Sequence, residues 1–210
     1  MRADQQDIWD YCSAYSSDQS DLLLELERVS NLRTLAPQMI SGPLQGRMLS
    51  FISHMIRPEC ILEIGTFTGY GTLCLAEGLS KNGSIYTIEV NQELKYISAD
   101  FFTRSKFKNQ IHAMEGDALK IVPTLQVHFD LVYIDAGKLN NWDYLQLVLP
   151  KIKTGGFIII DNVLWSGKVL SPNDKVATQI IAFNQNVVEH PEIENVIIPI
   201  RDGMNILRKV

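Results

Sequence analysis

The apolar positions of this chain change period near residue 60. Before it they recur at helical spacing. Leu22, Leu23, Leu26 and Val29 share one face, with Glu25, Glu27 and Arg28 between them. The pattern predicts helix over residues 4–35, and Ser20-Asp21 can cap a start within it. The stretch from Pro37 to Pro43 breaks the pattern. Another helix follows Pro43, with Leu44, Met48, Leu49, Ile52 and Met55 along one side, and it ends before Pro58.

After residue 60, short apolar runs alternate with amphipathic stretches. The runs predict strands at 60–64, 84–89, 111–114, 130–134, 156–161, 196–200 and 205–209. The amphipathic stretches predict helices at 71–79, 92–105, 118–124, 140–148 and 174–189. Phe157-Ile158-Ile159-Ile160 shows no alternation, as expected of a strand buried on both faces. Strand and helix in turn imply a mostly parallel sheet with right-handed crossovers. Only Arg201-Asp202-Gly203-Met204 separates the last two runs, and Asp-Gly is a hairpin signal. The last strand should therefore run antiparallel to its neighbour. There is no internal repeat and no low-complexity segment.

Composition narrows the picture. A chain of 210 residues suits one α/β domain and is short for two. The expected organisation is an N-terminal helical cap over 1–42 on a core over 43–210. Acidic residues outnumber basic ones by 24 to 19, a net charge of −5, which argues against nucleic-acid partners and anionic membrane surfaces. No apolar run approaches the length of a bilayer span, and the opening Met1-Arg2-Ala3-Asp4-Gln5-Gln6-Asp7 is too polar for a secretory signal. Cys12, Cys60 and Cys74 are odd in number and form no Cys-x-x-Cys pair. That disfavours a disulfide framework or a zinc site and fits a cytoplasmic protein.

Two features carry chemistry. The first is Ile61-Leu62-Glu63-Ile64-Gly65-Thr66-Phe67-Thr68-Gly69-Tyr70-Gly71, which runs from a buried strand into a helix. Its glycine order, Gly-x-x-x-Gly-x-Gly, is a poor pyrophosphate cradle compared with Gly-x-Gly-x-x-Gly. It suits a nucleoside whose charged part is an amino acid. Glu89 ends the next strand, where a carboxylate can accept bonds from both ribose hydroxyls. The second feature is a pair of apolar strands that each end in an aspartate, Asp135 and Asp161-Asn162. Adjacent parallel strands would bring all three to one edge. Two carboxylates and an amide form a hard oxygen set suited to Mg²⁺, Mn²⁺ or Ca²⁺. Lys138, three residues beyond Asp135, is either a base beside that cation or a solvated surface charge.

These motifs together resemble the small cation-dependent O-methyltransferases, which include catechol and caffeoyl-CoA O-methyltransferases, and their bacterial members most of all. The resemblance runs from about Met39 to Val210. It rests on Met39-Ile40-Ser41-Gly42-Pro43-Leu44-Gln45-Gly46, Leu62 to Tyr70, Tyr133-Ile134-Asp135-Ala136-Gly137-Lys138 and Asp161-Asn162-Val163-Leu164-Trp165-Ser166-Gly167. It implies a Rossmann-like methyltransferase fold, seven-stranded and mostly parallel with an antiparallel last strand, with helices on both faces and extra N-terminal helices. It implies that Ser41, Glu63, Gly65, Thr66 and Gly71 line the methionine end of S-adenosylmethionine. Glu89 would take the ribose and Ala118 would border the adenine. Asp135, Asp161 and Asn162 would hold the cation, with Asp135 also at the cofactor and Lys138 or water as the base. The substrate would be a small catechol-like hydroxyl compound, and the assembly a homodimer.

Four positions depart from the family pattern. Gly71 replaces a frequent serine, Gly137 an acid of the plant enzymes, Asn141 a frequent tyrosine and Ser166 an asparagine. The acceptor is therefore left open. Trp165 either walls an aromatic ring or packs in the core, and Tyr70 faces the same choice. Ile8, Trp9, Tyr11 and Tyr15 either cover the active site or form a dimer face. The competing readings are a nicotinamide-dependent oxidoreductase, a non-catalytic S-adenosylmethionine-binding protein and a metal-dependent hydrolase.

Overall fold

The computed structural model describes residues 5–210. The start of the helix predicted from residue 4, and part of the stretch used to exclude a secretory signal, lie outside the described residues. The single helix expected over 4–35 is two, α1 (Gln5–Ala14) and α2 (Asp21–Arg33). Serines cause the break by competing for backbone groups. Ser16 Oγ donates to the Cys12 carbonyl at 2.6 Å. Ser20 Oγ then accepts from Leu23 N at 3.4 Å and restarts the helix. The third helix, α3 (Gly42–Ile56), opens on Pro43 and closes on Arg57 in the left-handed region.

The core follows as β1 (Cys60–Ile64), α4 (Tyr70–Ala76), β2 (Ser84–Glu89), α5 (Lys95–Arg104), β3 (Ile111–Glu115), α6 (Ala118–Ile121), β4 (Phe129–Ile134), α7 (Asn141–Val148), β5 (Ile152–Asp161), α8 (Lys175–Val188), β6 (Ile193–Ile198) and β7 (Met204–Lys209). Helix ends are shorter than expected where one turn tightens to 3₁₀, at Gln92–Leu94 and Val122–Thr124. The strand expected at 196–200 is displaced to Ile193–Ile198, because Pro199 has no N–H for the ladder and Ile200 turns back onto Ile198 O. The strand expected at 156–161 begins earlier, at Ile152.

The seven strands lie in the order β3-β2-β1-β4-β5-β7-β6. Strands β1 to β5 pair in parallel, and β7 is antiparallel to both β5 and β6. The hairpin expectation therefore holds, and β7 also inserts between its hairpin partner and β5. Although Leu131–Ile134 and Phe157–Ile160 are unbroken apolar runs, their side chains alternate between two cores. Leu131, Tyr133 and Ile159 join Leu26, Leu49, Tyr70 and Phe101 under α2–α5. Val132, Ile134, Ile158 and Ile160 join Val122, Leu145 and Phe183 under α6–α8. Helices thus cover both faces. Leu23 and Leu26 of α2 sit in the first of these cores, so that helix is packed into the domain. No helix among the described residues is long and apolar enough to cross a membrane.

Candidate active site

The chain lays β2 and β3 on one side of β1, and β4 and β5 on the other. This reversal opens a crevice at the carboxyl ends of β1 and β4, where open α/β sheets take ligands. Pairing sets Ile64 beside both Ile88 and Ile134, and Ile134 beside Ile160. The next residues, Glu89, Gly65, Asp135 and Asp161, therefore stand in a row along one edge. Gly65 has φ 101°, and a side chain there would strike the Asp135 carbonyl. Only glycine lets the two strand ends approach this closely.

Glu63 is 1% exposed. Its Oε2 accepts from the hydroxyls of Thr72 and Thr87, the latter at 2.6 Å. Burial pushes its pKa up to about 8, against the pull of those two donors. The other oxygen faces Gly71, where a Cβ would lie 2.7 Å from Oε1. Glycine thus leaves that oxygen free at a narrow cleft shared with Ser41, Gly65, Thr66 and Asp135. A serine here would press on Glu63, and in this chain the neighbouring Thr72 supplies a hydroxyl to the carboxylate. A buried carboxylate with one open oxygen suits an ammonium group, which replaces the hydration it has lost. Next to it, Glu89 is fixed by Phe67 N at 2.7 Å and by Asn91 N at 2.8 Å.

The aspartates meet through Tyr133. Its hydroxyl lies 3.2 Å from Asp161 Oδ2 and 3.3 Å from Asp135 Oδ2. Burial first, and then the two carboxylates, push the Tyr133 pKa well up, so the group stays a donor. Gln45 Nε2 donates to Asp161 Oδ2 at 2.6 Å, and Lys138 Nζ to Asp135 Oδ1 at 2.7 Å. Burial, and then the charge of Asp135, push the Asp161 pKa up to about 6. Asn162 follows in the left-handed region at φ 61°, with its N–H on Asp161 Oδ1 at 2.8 Å. Among the described residues no three His, Cys, Asp or Glu side chains cluster to hold a metal. A cation here would rest on the two carboxylates and the Asn162 amide. The crowding of those carboxylates is the charge a hard divalent cation would offset, so the donor set fits one.

A cavity of about 660 Å³ joins the two halves. Gly65, Glu89 and Ala118 line one end, and Asp135, Lys138, Asp161 and Asn162 the other. Ser41, Glu63, Thr66 and Gly71 open onto the narrow cleft at its back. Every predicted site residue thus lines the cavity or the cleft, which share Met39, Gly65, Phe67 and Asp135 as wall residues. Trp165 lines the cavity, whereas Tyr70 is 2% exposed and packs in the core beside the cleft. No histidine lines either space. Sequence reasoning assigned no role to Gln45, Tyr133, Thr72, Thr87 or Arg201. Tyr133 had a signal, since it lies two residues before Asp135 on a strand and so shares its face. Gln45 and Arg201 had none, because their partners are distant in sequence.

A profile of the O-methyltransferase family matches residues 13–210. The chain belongs to the O-methyltransferase family. Among relatives, it is 29% identical over 179 residues to caffeoyl-CoA O-methyltransferase 1 of Eucalyptus globulus, covering 79% of this chain and 73% of that one. It is 27% identical over 215 residues to caffeoyl-CoA O-methyltransferase 2 of Petunia hybrida, covering 93% and 89%. The O-methyltransferase of Bacillus cereus, solved in complex with SAH, superposes with a TM-score of 0.89 at 26% identity, over 97% of each chain. Family membership displaces the oxidoreductase and hydrolase readings. It also fits a cavity lined by the glycine loop and Glu89 as well as by two aspartates.

Proposed function

We propose that this O-methyltransferase transfers the methyl group of S-adenosylmethionine to one hydroxyl of a catechol-like acceptor, with a divalent cation at Asp135, Asp161 and Asn162. The observation that carries this reading is the shared Tyr133 hydroxyl. It brings two carboxylates from different strands to one point, in the same cavity as Glu89 and Gly65.

The chain's own residues divide the work. Glu63 takes the cofactor ammonium, Glu89 the ribose hydroxyls, and Ser41, Thr66 and Gly71 shape the cleft for the methionine end, with Ala118 against the adenine. A bound Mg²⁺, Mn²⁺ or Ca²⁺ would supply the charge that acidifies the chelated hydroxyls. Lys138 or water takes the hydroxyl proton. Lys138 serves only after leaving Asp135 and losing its own proton. The oxygen–carbon bond forms as the carbon–sulfur bond breaks, giving the methyl ether and S-adenosylhomocysteine. Holding both reactants in line is worth several orders of magnitude in rate. Trp165 walls the acceptor ring. The exposed Ile8 and Tyr11 of α1, with Tyr15 just beyond it, offer the face for a homodimer of this cytoplasmic enzyme.

The test is methyl transfer to a catechol panel, with Mg²⁺ and with chelator, using wild type and Asp161→Ala. The expected result is activity lost to chelator, restored by Mg²⁺, and lowered by more than about 100-fold in the variant. Activity indifferent to both would remove the cation. Cofactor binding without transfer to any catechol would leave the non-catalytic reading standing.

A further inference from the structure

The turn between β6 and β7 grips both walls of the cavity. On one side, Arg201 Nη1 donates to Ile40 O at 2.7 Å, to Ser41 O and to Gln45 Oε1 at 3.4 Å. Its Nη2 donates to Gln38 O at 3.2 Å. One guanidinium thus ties down the segment that carries Ser41 into the cofactor cleft and Gln38 and Met39 into the main cavity. Among the described residues it forms no ion pair, so its partners are carbonyl oxygens alone. Five fixed donors suit such a multi-point hold, and an ammonium does not reproduce it.

On the other side, Asp202 and Gly203 hold the loop that follows the Asp161-Asn162 pair. Val163 N donates to Gly203 O at 3.1 Å and Leu164 N to Asp202 O at 2.9 Å, while Asp202 Oδ1 accepts from Ser166 N. That loop needs holding. Trp165, Ser166 and Gly167 are consecutive residues in the left-handed region, at φ 49°, 52° and 76°. Non-glycine residues stay there only when their surroundings over-determine them. Gly203, at φ 87°, presses so closely on Leu164 that a Cβ would overlap its side chain.

We propose that Arg201 and Asp202 are positioning residues that set the two walls separately. Arg201 acts through the carbonyls of residues 38–41 on the cofactor, and Asp202 acts through residues 163–166 on the acceptor. The division rests on the function proposed above.

The experiment measures two constants for each variant: the Kd of S-adenosylmethionine without acceptor, by calorimetry, and the KM of catechol with Mg²⁺ at saturating cofactor. Arg201→Ala should raise the first about tenfold and leave the second within about twofold. Arg201→Lys should recover part of the loss. Asp202→Ala should raise the second about tenfold and leave the first unchanged. Asp202→Asn, which keeps an acceptor oxygen, should restore it. Both constants moving together, in step with Tm, would show that the turn only supports the fold and would overturn the proposal. Unchanged constants would do the same. If the alanine variants do not fold, Arg201→Lys and Asp202→Ser carry the comparison, since the shorter serine withdraws the acceptor from Ser166 N and should still raise only the second constant. Wild type inactive on every catechol would instead count against the proposed function, leaving the Arg201 effect on cofactor binding to be read by itself.

Discussion

Gln45 and Asp161 are 116 residues apart in the chain, and the Gln45 amide donates to the Asp161 carboxylate at 2.6 Å. The contact joins α3 to the end of β5 and fixes which way Asp161 points. Gln45→Ala should raise the Mg²⁺ concentration for half-maximal activity by about 10- to 100-fold, as loss of an outer hydrogen bond to a metal ligand does. A Mg²⁺ activation curve measures this. An unchanged curve would show that Asp161 needs no such partner.

Glu63 sets a pH dependence. Its folded pKa, pushed up to about 8, stands above the ordinary carboxylate value. The contribution of its proton to stability is full at acidic pH and is lost as pH rises toward 8. The Tm of the ligand-free protein should therefore fall more steeply from about pH 5 to 8 in wild type than in Glu63→Gln. Differential scanning fluorimetry across that range gives both slopes.

The same carboxylate must be charged to hold an ammonium group. Binding of S-adenosylmethionine should therefore strengthen with pH between about 6 and 8 and release a proton. Calorimetry in two buffers of different ionisation enthalpy counts that proton. In Glu63→Gln the count should drop and affinity should weaken.

Glu89 holds Phe67 N and Asn91 N and faces the nucleoside end of the cavity. Glu89→Ala removes the ribose acceptor and frees the loop together. Cofactor affinity should fall by about 10- to 100-fold, the range for a charged hydrogen bond. Equilibrium binding of S-adenosylhomocysteine checks it without turnover.

Gly65 is a backbone requirement. Gly65→Ala places a methyl against the Asp135 carbonyl at φ 101°. It should destabilise the protein by about 1–3 kcal/mol, a Tm loss of several degrees, and displace Asp135.

The fold was legible because its central strands are apolar enough to be buried on both faces and its punctuation is strong. Asp202-Gly203 signalled the hairpin, and Pro43 and Pro58 framed a helix. What escaped was local competition, as at Ser16 and Ser20, where hydroxyls divide a run whose apolar period continues. The site was legible wherever a functional residue ended a strand, since parallel strands bring their ends together: Gly65, Glu89, Asp135 and Asp161. Gln45 and Arg201 were not, because each acts on a partner brought near only by packing, and Thr72 and Thr87 were not, because a threonine hydroxyl in an apolar strand or helix carries no signal of the carboxylate it will meet. The sequence could not say that Lys138 would be ion-paired with Asp135, or that Gly71 leaves one oxygen of Glu63 open.

The insertion of β7 between β5 and β6 bears on the order of assembly. Strands β1 to β5 can pair as they leave the ribosome, but β6 has no place until β7 arrives. Until then β5 is an open edge, a template for the wrong strand of another molecule. The nascent chain therefore exposes this edge until β7 is made, and the strand that closes it also delivers the turn that holds both walls of the cavity.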